Sequence, residues 1–257
     1  MSDQANSALQ PTAALIVIGN EILSGRTQDQ NVAFIAQKLN DLGIVLSEVS
    51  IIPDIEEKII QLVQLFSKNY NYVFTTGGIG PTHDDITIQS VAKAFHVPLE
   101  LNQSIVKILE DQCNSVGQTI NEARLKMALI PKGAKLIPNS VTHVPGFSLE
   151  NVYVFAGIPS IMRAMFEEVV PLLKHGSPIK SQTLQCYASE GDLAAGLTQI
   201  QQNYPQVDIG SYPVSSNGIH SVSIVVRGTD EISIASAVHE VANLMRQCGG
   251  DPILESS

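Results

Sequence analysis

The sequence contains no tryptophan and only three cysteines. Cys113, Cys186 and Cys248 lie far apart, without the Cys-x-x-Cys spacing of a zinc site and without the even number of a disulfide framework. This pattern excludes a small disulfide-stabilised secreted domain and favours a reducing compartment. We therefore expect a cytoplasmic protein.

Charged residues are also scarce, and most of them are acidic. They make up 16% of the chain, with 15 Lys and Arg against 25 Asp and Glu, for a net charge of −10. Because no basic run is present, we expect no nucleic acid and no anionic membrane surface as a partner. No apolar run approaches the roughly 18 residues of a membrane span. A phosphorylated ligand would need backbone amides, a metal ion or a few local bases.

Hydrophobic residues make up 44% of the 257 residues, enough for a substantial core. Residues 1–12 are small and polar, which predicts a disordered tail. A Gly-, Ser- and Pro-containing stretch at 176–181 indicates a linker. We expect one domain over residues 13–176 and a small module over residues 181–257.

Apolar strands alternate with amphipathic helices in the first domain. This order predicts βαβ units in an α/β fold, with a mostly parallel sheet covered by helices on both faces. The expected strands are 14–18, 44–52, 72–75 and 152–155, and the expected helices are 31–42, 55–66, 84–95, 102–116, 121–128 and one from about 160.

The last part of the chain predicts a small α+β module in the order βαββα. Its strands are expected at 183–187, 208–212 and 219–226, and its helices at 190–203 and 231–247. The turn Ser216-Asn217-Gly218 is typical of a tight hairpin between the last two strands.

The segment Thr75-Thr-Gly-Gly-Ile-Gly-Pro-Thr-His-Asp-Asp85 is the most informative motif. Glycines after a strand let backbone N–H groups converge on an anion, and the next helix adds its positive end. The motif therefore predicts a phosphate-binding loop. Asp84 and Asp85 either cap the helix or hold a divalent cation that bridges to the phosphate.

Two further acidic segments follow predicted strands, Gly19-Asn20-Glu21 and Pro53-Asp54. The carboxyl ends of parallel strands meet at one edge of a sheet, so Glu21 and Asp54 are expected to face the glycine loop. Carboxylates beside a phosphate cradle favour Mg²⁺-assisted phosphoryl or pyrophosphate chemistry. The alternative is that Asp54 only ends a strand in a Pro-Asp turn.

Three basic residues are further candidates for the same site. His83 could donate to a phosphate or move a proton, although its position could also tolerate many residues. Arg124 and Lys126 could neutralise a phosphate, but the sequence favours a solvated helix face for both.

Together, these segments resemble the molybdopterin-binding domain superfamily, and most of all the amino-terminal domain of the CinA proteins and of eukaryotic FAD synthases. Residues 19–25, 53–54 and 75–87 carry the resemblance, with further matches at 122–124, 138–139, 145–147 and 156–159. MoaB and Mog are more distant relatives. The last 77 residues are similar, more weakly, to the KH-like module that follows this domain in CinA.

The resemblance implies a three-layer α/β/α fold, a homo-oligomer, and molybdopterin or an adenine nucleotide as ligand. It implies that Asp54 and Asp85 are catalytic and bind Mg²⁺ or another divalent cation. It also implies a set of substrate- and phosphate-binding residues, namely Gly19, Asn20, Glu21, Asn31, Thr76, Gly77, Gly78, Gly80, Pro81, Thr82, Thr87, Pro145 and Gly146.

Within the superfamily, the CinA and FAD synthase branch is associated with hydrolysis of the pyrophosphate bond of ADP-ribose or FAD. This is the expected activity. Adenylylation of molybdopterin, as in Mog, and binding without turnover are the alternatives.

The amidohydrolase and nucleotidyl-transfer domains of relatives have no counterpart in this sequence, so deamidation and FAD synthesis are not expected. The acidic module lacks the Gly-x-x-Gly loop of RNA-binding KH domains, so we expect a structural or self-association role.

Overall fold

The computed structural model describes residues 10–216 and 219–255. Most of the expected tail, residues 1–9, and the turn residues Asn217 and Gly218 lie outside the described residues. The chain divides into two compact units, Met1–Gly176 and Ser177–Ser257.

The strands of the first unit are β1 Thr12–Ile18, β2 Val45–Ile52, β3 Tyr72–Thr76, β4 Leu99–Leu101, β5 Leu129–Pro131, β6 Lys135–Ile137, β7 Gly146–Leu149 and β8 Val152–Phe155. They form a six-stranded sheet in the order β2-β1-β3-β8-β7-β6, accompanied by a two-stranded sheet of β4 and β5. Strands β2, β1, β3 and β8 are parallel, while β7 and β6 pair antiparallel at one side. The predicted mostly parallel α/β fold is confirmed.

Helices cover both faces of this sheet. They are α1 Asn20–Leu23, α2 Asn31–Asp41, α3 Glu56–Asn69, α4 Thr87–Ala94, α5 Gln103–Ser115, α6 Glu122–Leu125 and α7 Pro159–Val169, with 3-10 turns at Lys126–Ala128 and Val170–Leu172. One hydrophobic cluster packs α2 and α7 on the sheet, and a second packs α3, α4 and α5 on the opposite face. The unit is therefore a three-layer α/β/α structure.

Strand β1 shows why the sequence adopts this arrangement. Ala13, Leu15 and Val17 contact the α2–α7 side, and the alternating residues Ala14 and Ile16 contact the other. All are almost fully buried, as expected for a central parallel strand with a continuous apolar run. Burying each large aliphatic side chain contributes about 1.5–3 kcal/mol, which stabilises β1 in the interior of the sheet, between β2 and β3.

Helix α4 begins later than the sequence predicted, at Thr87 instead of Asp84. The residue that precedes it, Ile86, makes no side-chain cap. Asp84 and Asp85 instead bond within the preceding loop. The capping interpretation of the two aspartates is therefore wrong.

The second unit contains β9 Lys180–Cys186, α8 Glu190–Asn203, β10 Val207–Ser216, β11 Ile219–Gly228, α9 Glu231–Gln247 and β12 Ile253–Leu254. Its antiparallel sheet has the order β10-β11-β9-β12. Residues from both helices, such as Leu193 and Val241, pack on Leu184 and Ile224 of the sheet. The strand β12 was not predicted, because two residues are too few to show a period. Within residues 10–216 and 219–255, no helix is both long enough and apolar enough to cross a bilayer.

Candidate functional site

A cavity of about 690 Å³ lies at the carboxyl ends of the parallel strands. The residues that follow β1, β2, β3 and β8 all contribute to its lining: Gly19, Asp54, Gly77 and Gly157. This edge of an open parallel sheet is the usual place for a ligand, because the loops after the strands diverge there.

Close packing of these loops explains the glycines after β3. Gly77 and Gly78 have φ angles of 100° and 68°, in the left-handed region that side chains disfavour. A Cβ at Gly77 would collide with the carbonyl oxygen of Ile18, and one at Gly78 would collide with the hydroxyl of Thr87. Gly157 approaches from the β8 side, where an added Cβ would lie 3.3 Å from the Gly77 Cα. The loop conformation therefore depends on the absence of side chains.

The hydrogen bonds of this loop determine which amides a ligand can reach. The N–H of Gly77 donates to the carbonyl oxygen of Phe155 at 3.1 Å, so it is already occupied. Among the described residues, the N–H groups of Gly78, Ile79 and Gly80 have no protein acceptor. The free amides therefore begin at Gly78, one position later than expected, and include that of Ile79.

Two predicted site residues do not line the cavity but form hydrogen bonds to the backbone of the loops that do. The Thr87 hydroxyl donates to the Gly77 carbonyl oxygen at 3.0 Å, and the Thr87 amide donates to that of Gly78 at 2.9 Å. Asn31, only 4% exposed, donates from Nδ2 to the Gly157 carbonyl oxygen at 2.8 Å. Both therefore fix the backbone of residues that do line the cavity.

Four carboxylates line the cavity, those of Glu21, Asp54, Asp84 and Asp85. Oδ2 of Asp54 accepts the N–H of Asn20 at 2.9 Å, and Oδ2 of Asp85 accepts the N–H of Thr82 at 2.8 Å. Within the described chain, Oδ1 of Asp54 and Oδ1 of Asp85 accept no hydrogen bond. Each of these two aspartates thus has one oxygen fixed by backbone and one available.

Thr82 joins the paired aspartates. Its hydroxyl oxygen lies 2.5 Å from Oδ1 of Asp84 and 2.5 Å from Oδ2 of Asp85. A hydroxyl has one proton, so it can donate to only one carboxylate at a time. The bond from Thr82 is the main reason that the pKa of Asp84 is lowered from 3.8, with a smaller contribution from a backbone N–H.

The oxygens of Thr82, Asp84 and Asp85 are hard donors of the kind that Mg²⁺ prefers. No group of three or more His, Cys, Asp or Glu side chains in the described chain is arranged to hold a metal ion. Mg²⁺ commonly uses one or two carboxylates together with ligand phosphates, so this set fits an ion that arrives with a phosphorylated ligand.

The structure brings together most, but not all, of the residues predicted from sequence. Those that line the cavity are Gly19, Glu21, Asp54, Gly77, Gly78, Gly80, Pro81, Thr82 and Asp85. Those that do not are Asn20, Asn31, Thr76, Thr87, Pro145 and Gly146.

The predicted residues that do not line the cavity are held elsewhere by the fold. Thr76 is the last residue of β3 and its hydroxyl is buried. Gly146 is buried as the first residue of β7, where it pairs with Ile137, and Pro145 is buried before it. Thr142 and Val144 line the cavity in their place. His83 is 98% exposed and does not line the cavity.

An apolar wall of the cavity was not predicted. It is contributed by α5, the 3-10 turn after α6, the loop before α7, and α7, through Leu109, Val116, Met127, Ile158, Ile161 and Met165. Leu109 and Cys113 lie on one face of α5, and Val116 follows its last residue, but periodicity cannot distinguish a face toward a cavity from one toward the core. Arg124 belongs to the same wall.

The fold and the cavity define a three-layer α/β protein with its candidate site at the strand ends. Residues 14–175 match the family model described as "Probable molybdopterin binding domain", and residues 178–248 match "FAD synthase, middle domain". The chain therefore belongs to the molybdopterin-binding-domain family, and the predicted resemblance is confirmed.

Several relatives support this assignment. A protein of Archaeoglobus fulgidus is 31% identical over 231 residues, 90% of this chain and 96% of its own. A CinA-like protein of Crocosphaera subtropica is 36% identical over 169 residues, 63% of this chain and 41% of its own. A probable FAD synthase of Caenorhabditis elegans is 31% identical over 261 residues, 91% of this chain and 50% of its own.

One solved structure supports the fold as well. The crystal structure of CinA from Thermoplasma acidophilum, described as having unknown function, superposes with a TM-score of 0.58 at 29% identity. The similarity covers 62% of this chain and 97% of that one. The chain is thus a CinA-like member of the family with FAD synthase homologues.

Proposed function

We propose that this protein is a Mg²⁺-dependent hydrolase of the diphosphate bond in an adenine dinucleotide such as FAD or ADP-ribose. The observation that carries the proposal is that three loop residues with free amides and four acidic residues line one cavity. Amides favour phosphate, whereas carboxylates repel it. A site with both is suited to a phosphate that binds together with a divalent cation.

The free amides of Gly78, Ile79 and Gly80 bind and orient one phosphate of the ligand. Asp85, with Asp84 and Thr82 beside it, would hold Mg²⁺. When bound, Mg²⁺ supplies neutralisation of phosphate charge and makes the phosphorus a better electrophile.

The chemical step is attack by water on one phosphorus of the diphosphate. The new P–O bond forms from the water oxygen, and the bond to the bridging oxygen breaks, with its electron pair leaving on the other phosphate. Asp54 has one carboxylate oxygen available, and it accepts the proton of the water. The products are AMP and a second monophosphate, namely FMN from FAD or ribose 5-phosphate from ADP-ribose.

The apolar wall supports a substrate that carries a ring. Volumes of about 300–1,000 Å³ accommodate drug-sized ligands, and this cavity has about 690 Å³. Leu109, Val116 and Met127 offer apolar surface for a nucleotide base or a flavin. The nematode relative named as a probable FAD synthase makes FAD a natural first ligand to test.

The test is to incubate the purified full chain with Mg²⁺ and FAD or ADP-ribose and to separate the products by chromatography. We expect AMP to be released, and EDTA to stop its release. If neither dinucleotide yields AMP, the proposal is wrong. A parallel incubation with ATP and molybdopterin addresses the adenylyl-transfer alternative, which would yield pterin adenylate. Tight binding without any product would instead indicate a binding protein.

A further inference from the structure

Arg124 occupies an unusual position in the apolar wall of the cavity. Its backbone N–H donates to Oδ1 of Asn121 at 2.9 Å, which fixes the first turn of α6. Its Nη1 donates to Sγ of Cys113 at 3.0 Å, and its Nη2 donates to Oε1 of Gln118 at 3.0 Å. Cys113 is only 3% exposed and lines the same cavity. The guanidinium is therefore held in place from two sides.

Both acceptors of this guanidinium are uncharged side chains. Over the part of the chain that the structure describes, Arg124 forms no ion pair, and the four carboxylates of the cavity bond to other groups or to none. A guanidinium has five N–H donors, of which these contacts use two. Its charge and its remaining donors are available to an anion, which arginine binds in a well-defined geometry.

The position of Arg124 differs from that of the free loop amides. The amides belong to the loop after β3, whereas Arg124 lies on α6 and contacts Cys113 of α5. Arg124 is the only Lys or Arg among the described residues that line the cavity. The cavity thus has a second group suited to an anion, on a separate structural element.

We propose that Arg124 is a specificity-determining residue that binds an anionic group of the ligand directly. It selects nucleotides with a diphosphate over uncharged nucleosides, while Cys113 and Gln118 orient its guanidinium. The proposal deepens the function proposed above and rests on it for the location of the ligand. A ligand-binding Arg124 differs from the sequence-based expectation, which placed this residue on a solvated helix face.

The test measures binding without turnover. Adenosine 5′-(α,β-methylene)diphosphate, in which a methylene group replaces the bridging oxygen, is titrated calorimetrically in the presence of Mg²⁺, and adenosine serves as the uncharged comparison. We expect Arg124→Gln to weaken the diphosphate analogue roughly 10- to 100-fold, as for the loss of a charged hydrogen bond. Adenosine affinity should remain within about twofold of wild type, since the charge of Arg124 contributes little to an uncharged ligand.

Two further variants serve as controls. Lys126 is a neighbouring exposed cation that does not line the cavity, so Lys126→Gln should leave both affinities unchanged. Arg124→Lys keeps the charge but loses the planar fork, and we expect an intermediate loss. Unchanged adenosine binding in each variant also shows that the site is folded.

Three results would overturn the proposal. They are an unaltered diphosphate affinity in Arg124→Gln, an equal loss for the analogue and for adenosine, and a wild-type protein that does not bind the analogue. Failure of the proposed hydrolysis has a different signature. In that case the wild type binds the analogue in an Arg124-dependent manner but releases no AMP from FAD or ADP-ribose.

Discussion

The hydroxyl of Thr87 donates a hydrogen bond to the carbonyl oxygen of Gly77, 3.0 Å away and ten residues earlier in the chain. It joins the first turn of α4 to the end of β3 and closes the base of the glycine loop. Thr87 is completely buried, so water cannot replace the bond. A residue outside the cavity lining thus determines the shape of the loop that carries the free amides.

Thr87→Val tests this relationship, because valine has a similar shape but no hydroxyl. The substitution leaves the Gly77 carbonyl oxygen without its donor, and a buried unsatisfied group costs about 1–3 kcal/mol of unfolding free energy. Urea denaturation measures the loss, and the release of AMP should fall with it. Thr87→Ser keeps the hydroxyl and should recover much of both. A valine variant as stable and active as wild type would remove Thr87 from this role.

Gly78→Ala tests whether packing, beyond backbone conformation, requires a glycine in the loop. Gly117 provides a matched control, since its φ angle is 69° against 68° at Gly78, and a Cβ there meets nothing within 4 Å. Gly117→Ala should cost only the left-handed strain of about 1–2 kcal/mol. Gly78→Ala adds a collision with the Thr87 hydroxyl and should be clearly more destabilising in the same denaturation assay. Equal losses would show that the collision is relieved without cost.

Asp85→Asn removes a charge from the cavity while keeping an oxygen that can accept the N–H of Thr82. If Asp85 holds Mg²⁺, we expect the rate of AMP release to fall roughly 100-fold or more, a change within the range seen when a transition-state electrostatic contact is lost. The melting temperature should change little. Asp111→Asn, on the exposed side of α5, is the matched control and should keep full activity. An unchanged rate in Asp85→Asn would exclude Asp85 from the mechanism.

The lowered pKa of Asp84 gives a prediction about pH. The Thr82 hydroxyl favours the ionised carboxylate, so the pKa is lower in the folded protein than in the unfolded chain. The associated stability is fully present above the ordinary value of 3.8 and is lost as the pH falls through the folded pKa. Thr82→Val should therefore raise the pKa of Asp84, as measured by the pH dependence of its carboxyl ¹³C chemical shift. Thr82→Ser should keep it low, and identical titrations in wild type and Thr82→Val would contradict the assignment.

The sequence predicted the βαββα order of the second unit and the four parallel strands of the first, because buried parallel strands and amphipathic helices have strong local periods. It did not predict β4, β5, β6 and β7, which are only three or four residues long. It predicted the boundaries near the site less well. Thr82 to Ile86 contain helix-start residues, yet the bonds of Asp85 to Thr82 keep them in a loop, and α4 begins at Thr87. Pro145 and Gly146 look like a loop beside a ligand, but Gly146 is the first residue of a strand buried against β8. Neither competing interaction is visible from local composition.

By itself, the sequence determined the α/β class, the family, and the presence of glycines and carboxylates at one edge of the sheet. The class and the common edge follow from local periodicity and from the rule that parallel strands end on the same side, whereas the family follows from the resemblance of the motifs. Only the tertiary structure decided that the Gly77 amide is occupied, that Thr87 and Asn31 support the loops from behind, and that Arg124 belongs to the cavity. Each of these depends on contacts between residues distant in the chain or on side-chain direction, which residue spacing does not encode.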